Sequence, residues 1–240
     1  MDRARGAERD YVNTRHQILC VWSGVLCPIV MFTGLWPMAG FFPPHHPTAS
    51  AADIAAIYQQ GTSGIRLGMI FIMLAGALNV PFVAAIAAQM LRIESGRTPV
   101  LSMTQLGAGA AGALLFIIPA LIWTAAAFRP DRPADITLAL NDIGWISFVM
   151  PFTLAVVQNC AIGLAIVSDR NAQPVFPRWL GFFNFWVVLL FLPGGLLTFF
   201  KTGPFAWNGL LAFWVPATVF GAWYFVMAAF VIKAARQQAA

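Results

Sequence analysis

Residues 101–128 read LSMTQLGAGAAGALLFIIPALIWTAAAF, a run without one charged side chain. A helix needs roughly 20 consecutive apolar residues to cross the hydrocarbon core of a bilayer, whereas a membrane β-strand needs only about 9–11. The run is therefore long enough for a transmembrane helix and too long for a barrel strand. It decides the class of the fold, because five more segments of the same kind accompany it.

Similar apolar runs fill most of the chain, and short polar breaks separate them. The predicted spans cover residues 17–41, 65–91, 101–128, 141–167, 179–200 and 207–232. Sixty per cent of the 240 residues are hydrophobic and 10% are charged, whereas a soluble domain has about a quarter charged residues. We predict an all-α integral membrane protein in which residues 1–240 form a single six-helix transmembrane bundle. We expect the lipid bilayer as its surroundings and no nucleic acid as a partner.

The placement of lysine and arginine predicts the orientation of the bundle. Cytoplasmic connections carry an excess of these residues. With both termini inside, ten of the 14 basic residues lie on the inner side, and Arg66, Arg129, Arg132 and Lys201 lie on the outer side. We therefore expect an N-in and C-in multi-pass protein of the cell membrane, in a bacterial inner membrane. Trp36, Trp123, Trp145 and Trp207 fall near the outer boundary, as expected of an aromatic belt.

The first outer connection, residues 42–64, is the longest of the predicted connections. Ser50 and Asp53 have the spacing of a capping box, in which the side chain of each residue accepts a hydrogen bond from the backbone N–H of the other. Ile54, Ile57 and Tyr58 then fall on one helical face. The pattern predicts a short amphipathic helix lying on the outer surface.

Polar residues near the outer ends of the spans form the predicted ligand-binding site. Asp142 is an acid at the edge of an apolar run, and Asn141 and Trp145 lie beside it. Arg66 and Asp142 start their spans at similar depth, and Lys201 ends the fifth span at that depth. We therefore expect Arg66 or Lys201 to pair with Asp142, because charges in a membrane are costly when unpaired. The alternative is that Asp142 caps the fourth span, where its charge suits the positive helix end. The predicted ligand-binding residues are Arg66, Asn141, Asp142, Trp145, Lys201 and Asn208.

Four prolines indicate where a cavity would open. Pro119, Pro151, Pro193 and Pro216 lie in the predicted outer half of their spans, and each removes a backbone donor and tends to kink its helix. Kinks at one depth would separate the helices there. The alternative is that these prolines are simply tolerated, as prolines often are in membrane helices.

Amides are the main polar groups in the middle of the spans, at Asn79, Gln158, Asn159 and Asn184. Such residues hydrogen-bond between helices or line a cavity, and we favour the first role. The absence of mid-span Asp, Glu, Lys, Arg and His argues against a proton pump, an ion-coupled carrier and a voltage sensor.

No cofactor or metal is assigned from the sequence. A haem held by axial histidines is not expected, because none of the three histidines lies inside a span. His45 and His46 could join Asp53 around a metal ion in the first connection. Adjacent histidines tend to point apart, however, and we predict no metal site.

These features favour a small channel, carrier or binding protein for an apolar or weakly polar small molecule, with a cavity in the outer half. One alternative is a membrane-embedded enzyme that acts on a lipid-soluble substrate with Asp142 as acid or base; no other catalytic residue is suggested. Another is an accessory subunit whose apolar faces bind the helices of a partner membrane subunit. Gly107, Gly109 and Gly112 let helices approach closely, which would serve internal packing or a homo-oligomer contact.

Overall fold

The chain folds into six membrane-length helical segments. The computed structural model describes residues 14–239. Six segments are long and apolar enough to span a membrane, and this part of the chain contains no strand, which confirms the predicted class and number of spans. The spans are Thr14–Met38, Ala51–Ile93, Val100–Phe128, Ala134–Val167, Arg178–Phe199 and Leu210–Gln238.

Several spans consist of more than one helix. The α-helices, in chain order, are α1 Thr14–Thr33, α2 Ala51–Ile93, α3 Val100–Ala111, α4 Leu114–Phe128, α5 Ala134–Val149, α6 Thr153–Val167, α7 Arg178–Phe191 and α8 Val215–Ala239. A π-helical turn at Gly34–Met38 ends the first span, and another at Leu210–Trp214 opens the sixth. A 3₁₀-helix at Leu192–Phe199 ends the fifth span.

Helix α2 differs from the sequence prediction. The capping box forms as expected, since Ser50 and Asp53 exchange side-chain and backbone hydrogen bonds. The helix that it opens does not stop at the surface, but continues without a break through the second span for 43 residues. At 1.5 Å per residue it is about 65 Å long, roughly twice the hydrocarbon thickness. Ile54 and Tyr58 are fully buried, so contact with the rest of the protein holds the first turns of α2 in line with the span.

The second span lies at the centre of the bundle. It packs against the first, third, fourth and sixth spans, whereas the fifth packs mainly on α6 of the fourth span. Close approach requires small residues at the contacts. A Cβ on Gly68 would lie 2.4 Å from the carbonyl oxygen of Gly34, and one on Gly109 would lie 2.6 Å from Gln158 Nε2.

Backbone irregularities cluster in the middle of the bundle. The third span is interrupted at Gly112–Ala113 and the fourth at residues 150–152, around Pro151. Pro193 lies in the 3₁₀-helix, and Pro216 is the second residue of α8, after the second π-helical turn, whereas Pro119 lies inside the regular helix α4. Prolines remove backbone donors and so favour such departures from regular α-helix.

Three connections meet at one end of the bundle, which we call the His45 end. They comprise residues 39–50, 129–133 and 200–209. Trp207 Nε1 donates to the backbone oxygen of His45 at 2.8 Å, and Gln59 Nε2 donates to the backbone oxygen of Pro130 at 3.1 Å. The first bond joins two of the connections to each other, and the second joins the connection 129–133 to α2.

Candidate functional site

A cavity of about 160 Å³ lies between the spans, in the middle of the bundle and toward the His45 end. All six spans contribute to its wall. The wall is mainly aromatic and aliphatic, and none of the residues that line it in the described part of the chain is Asp, Glu, Lys, Arg or His. One residue from each span, in order, is Leu35, Asn79, Phe116, Phe148, Phe191 and Phe220.

Two polar residues of the wall are already satisfied by each other and by the backbone. Tyr224 donates its hydroxyl to Asn79 Oδ1 at 2.7 Å, and Asn79 Nδ2 donates to the carbonyl oxygen of Gly109 at 2.8 Å. These bonds join the second, third and sixth spans. Asn184 plays a similar part outside the cavity, because it accepts from Trp223 Nε1 at 2.9 Å. The expected role of mid-span amides between helices is thus confirmed for Asn79 and Asn184.

Gln158 and Asn159 differ from the other mid-span amides. Both line the cavity, and they are only 9% and 2% exposed. Gln158 Nε2 and Asn159 Oδ1 have no hydrogen-bond partner within residues 14–239. A buried polar atom without a partner costs about 1–3 kcal/mol. The apolar wall of the cavity therefore contains two amide residues whose hydrogen bonds are incomplete within the described chain.

The predicted outer site is centred on His45, which lies in the first connection. We define the His45 cluster as Phe41, His45, Tyr58, Asn141 and Trp145, all of which are buried. Asn141 Oδ1 lies 2.8 Å from His45 Nδ1 and accepts from the Tyr58 hydroxyl at 3.3 Å. The ring of Phe41 packs edge-on against His45, with centroids 4.4 Å apart.

The orientation of Asn141 fixes the tautomer of His45. Asn141 Nδ2 faces the Asp142 carboxylate at 3.4 Å, so Asn141 Oδ1 is the atom turned toward His45. An amide oxygen only accepts, so His45 Nδ1 carries the proton and donates it. The 3.5 Å contact from Trp145 Nε1 to His45 Nδ1 is then a packing contact. His45 Nε2 keeps its lone pair and has no hydrogen-bond partner in the part of the chain that the structure describes.

Burial also sets the charge of His45. Loss of contact with water lowers the pKa of His45 below its usual value, and the hydrogen bond to Asn141 opposes this only in part. The imidazole is therefore neutral near pH 7. Phe148 and Phe213 contact Trp145 and also line the cavity, so they lie between the His45 cluster and the cavity.

The structure brings three of the six predicted site residues together: Asn141, Asp142 and Trp145. The expected ion pair of Arg66 with Asp142 does not form within residues 14–239. The Arg66 guanidinium instead donates to the carbonyl oxygens of Ala127 and Phe128, at 2.9–3.2 Å. These carbonyl groups lie at the C-terminal end of α4 and have no partners in their own helix. They therefore attract the Arg66 guanidinium in place of the Asp142 carboxylate.

Lys201 and Asn208 lie apart from the cluster. Lys201 is exposed and interacts with Asp142 electrostatically but forms no ion pair with it in the described chain. Asn208 contributes its backbone oxygen, which accepts from Trp214 Nε1. The expectation that Asp142 faces the bundle is partly met, because its half-buried carboxylate contacts Asn141 but stays at the His45 end.

Other residues of this end also depart from expectation. Trp36 is 62% exposed and suits an aromatic belt, but Trp123, Trp145 and Trp207 are buried inside the protein. His45 is buried while its neighbour His46 is exposed, and Asp53 is engaged with Ser50. No group of three metal-ligating side chains occurs within residues 14–239. No periodic pattern marks His45 as a buried residue, since it lies in an irregular connection.

Comparison with protein-family models, curated proteins and solved structures finds no match for this chain. The six apolar helices are those of a multi-pass membrane protein. Any more specific function must be argued from the cavity and the His45 cluster.

Proposed function

We propose that the protein binds an uncharged, weakly polar small molecule in the cavity, as a small channel, carrier or binding protein. The observation that carries the proposal is the cavity that all six spans line, because its apolar wall includes the amide residues Gln158 and Asn159 and, in the described chain, no charged side chain.

The size of the cavity limits the ligand. An apolar cavity of about 150 Å³ accepts a benzene-sized molecule. At about 160 Å³, this one accommodates a single ring or a ring-sized part of a longer molecule. The lack of charged side chains in its wall favours an uncharged group, because an unpaired charge in the membrane is costly.

The orientation expected from the basic residues belongs to this proposal. It places the His45 end on the outer side of a bacterial inner membrane, and the cavity in the middle and outer part of the bundle. The ligand would then reach the cavity from the lipid or past the aromatic residues of the His45 end.

Binding explains the cavity better than catalysis does. A membrane-embedded enzyme needs positioned acids and bases. Among the described residues that line the cavity, Tyr224 has the titratable side chain, and its hydroxyl already donates a hydrogen bond to Asn79 Oδ1. Asp142 contacts Asn141 and does not line the cavity. An accessory subunit would expose apolar side chains that bind a partner's helices. Exposed residues such as Phe199 and Trp186 are equally well explained by contact with lipid.

Filling the cavity tests the proposal. Ala155 lines the cavity, and Ala155→Phe would place a ring inside it. Ala84 is exposed in the middle of the second span, so Ala84→Phe is the matched control with the same added ring. Each protein is extracted from membranes in lipid nanodiscs and examined by native mass spectrometry for bound small molecules.

The wild-type protein and Ala84→Phe should carry a small molecule at a stoichiometry near one, and Ala155→Phe should not. Retention of the same molecule by Ala155→Phe would place its site elsewhere and contradict the proposal. Wild-type protein without any bound molecule, and without a rise in unfolding temperature on exposure to ring-sized compounds, would contradict it as well.

A further inference from the structure

We infer that the cavity selects an uncharged aromatic ring over a saturated ring of the same size. The inference rests on the proposed function and adds the chemical class of the ligand. It depends on which side chains form the wall, on how far neighbouring residues cover them, and on what holds them in place.

Aromatic side chains are concentrated in the wall of the cavity. Nine of the 25 described residues that line it are Phe, Trp or Tyr, whereas aromatic residues make up 14% of the whole chain. Leu, Ile and Val suit the interior of a bilayer as well as Phe does. Membrane insertion alone therefore does not explain a wall that is more than twice as aromatic as the chain.

Five of these rings keep part of their surface uncovered. They line the cavity and are only partly buried by neighbouring residues, and they come from the first, fourth, fifth and sixth spans. The five are Phe32, Phe148, Phe152, Phe191 and Phe220. A ring-sized molecule in the cavity would therefore contact aromatic rings on more than one side.

Further rings behind the wall hold these side chains in place. The ring of Phe32 packs edge-on against Phe42, with centroids 5.8 Å apart, and the ring centroids of Phe148 and Trp123 are 5.6 Å apart. Neither Phe42 nor Trp123 lines the cavity. Side chains that are already ordered lose little conformational freedom when a ligand binds. The position of these wall rings thus does not depend on the ligand.

Contact between aromatic rings distinguishes an aromatic ligand from a saturated one. An aromatic ring has a negative face and a positive edge, so two rings attract each other when offset-stacked or edge-to-face, beyond the gain from the area that they bury. A saturated ring buries a similar area without this attraction. Lipid tails are saturated too, so an aromatic molecule gains these contacts when it passes from the bilayer to the cavity.

A cation would use the same rings but is disfavoured. The faces of aromatic rings attract ammonium groups, as in sites for quaternary ammonium ligands. No Asp or Glu lines the cavity in the described chain, however, so a cation would lack a counter-ion in an apolar space. An uncharged aromatic ring gains from the same wall without that cost.

Three small probes separate these chemistries. Benzene is aromatic, cyclopentane is a saturated ring of nearly the same volume, and tetramethylammonium is a cation. Binding is measured as the concentration-dependent rise in unfolding temperature of the protein in nanodiscs, and each affinity is referred to the measured concentration of the probe in the lipid. The same titration on Ala155→Phe, in which the cavity is filled, supplies the background from partition into lipid.

We expect benzene to bind about two- to tenfold more tightly than cyclopentane. One aromatic pair contributes about 0.5–1.5 kcal/mol beyond its buried area, and about 1.4 kcal/mol corresponds to a factor of ten. Tetramethylammonium should not stabilise the protein above background.

Variants of the wall test whether its rings cause the preference. Phe220→Leu and Phe152→Leu each remove one ring, from different spans, and keep an apolar side chain. In both, the preference for benzene should shrink while cyclopentane still binds. Phe225→Leu is the control and should keep the full preference, because Phe225 is exposed on the same helix as Phe220 and does not line the cavity.

The outcomes separate this inference from the proposed function. If cyclopentane binds as tightly as benzene, or if both wall variants keep the full preference, the selection of aromatic rings is wrong although the cavity binds ligands. If tetramethylammonium binds more tightly than benzene, the wall selects cations and the inference is again overturned. If no probe stabilises the wild-type protein above background, both the inference and the proposed function fail.

Discussion

Replacing Asn141 by leucine would remove the acceptor at the centre of the His45 cluster. In the wild-type protein Asn141 Oδ1 accepts hydrogen bonds from His45 Nδ1 at 2.8 Å and from the Tyr58 hydroxyl at 3.3 Å. All three residues are buried, with exposed fractions of 0% for Asn141 and Tyr58 and 7% for His45. Water therefore cannot easily replace the lost acceptor.

The expected cost follows from these two bonds. Each buried donor left without a partner costs about 1–3 kcal/mol, which gives about 2–6 kcal/mol for the pair. The lower part of that range is expected, because the Tyr58 bond is long and its hydroxyl can rotate toward Asp142. We predict that Asn141→Leu lowers the free energy of unfolding by about 2–4 kcal/mol.

The assay is equilibrium unfolding by SDS in mixed micelles, followed by near-ultraviolet circular dichroism. Trp123 and Trp145 give a local signal, since their ring centroids are 5.0 Å apart beside the cluster. Tyr58→Phe removes only the longer bond and should cost about 0.5–1.5 kcal/mol. Combined with Asn141→Leu it should add almost nothing, because the two changes remove the same interaction.

Asn208→Leu is the matched control. Asn208 is half-buried at the same end, and its side chain makes no hydrogen bond within the described chain. Its replacement should change the free energy of unfolding by less than about 0.5 kcal/mol. If Asn141→Leu costs no more than Asn208→Leu, the His45 cluster does not stabilise this end and the reasoning is refuted.

Two further predictions concern topology and pH. A membrane-impermeant maleimide added to intact cells should label Ala134→Cys but not Ala172→Cys; labelling of position 172 from outside would reverse the proposed orientation. Because burial lowers the pKa of His45, protons bind more tightly to the unfolded state, in which a histidine has a pKa of about 6.5. The stability that neutral His45 contributes is fully present above that value and is lost as the pH falls below it toward the folded pKa. This loss should be absent in His45→Gln and retained in His46→Gln, whose histidine is exposed; equal pH profiles for the two variants would argue against a buried neutral His45.

The spans were predictable because lipid acts on each segment separately. A run such as residues 101–128 has no alternative to a helix in a bilayer, since its backbone groups must be satisfied within the segment. The capping box at Ser50 was equally local, because its two partners lie three residues apart. The mid-span amides Gln158 and Asn159 could also be recognised as the polar groups of an apolar interior.

The boundaries of helices were less predictable where tertiary contacts decide them. The sequence suggested a separate surface helix before the second span, but buried Ile54 and Tyr58 keep α2 continuous. Conversely, the third span has no charged side chain, yet it is interrupted at Gly112–Ala113 beside the cavity. Hydropathy does not distinguish a continuous helix from an interrupted one, because both bury the same side chains.

The sequence by itself determined that this is a six-span membrane protein with uncharged amides in its interior, since length and polarity are properties of single segments. Only the tertiary structure decided which amides are satisfied. Asn79 meets Tyr224 from the sixth span, whereas Gln158 Nε2 and Asn159 Oδ1 meet no partner within the described chain. It also decided that His45, and not Arg66 or Lys201, joins Asn141. A hydrogen bond depends on the positions of two groups to within tenths of an ångström, and residues 45 and 141 acquire those positions only when the connections fold back onto the bundle.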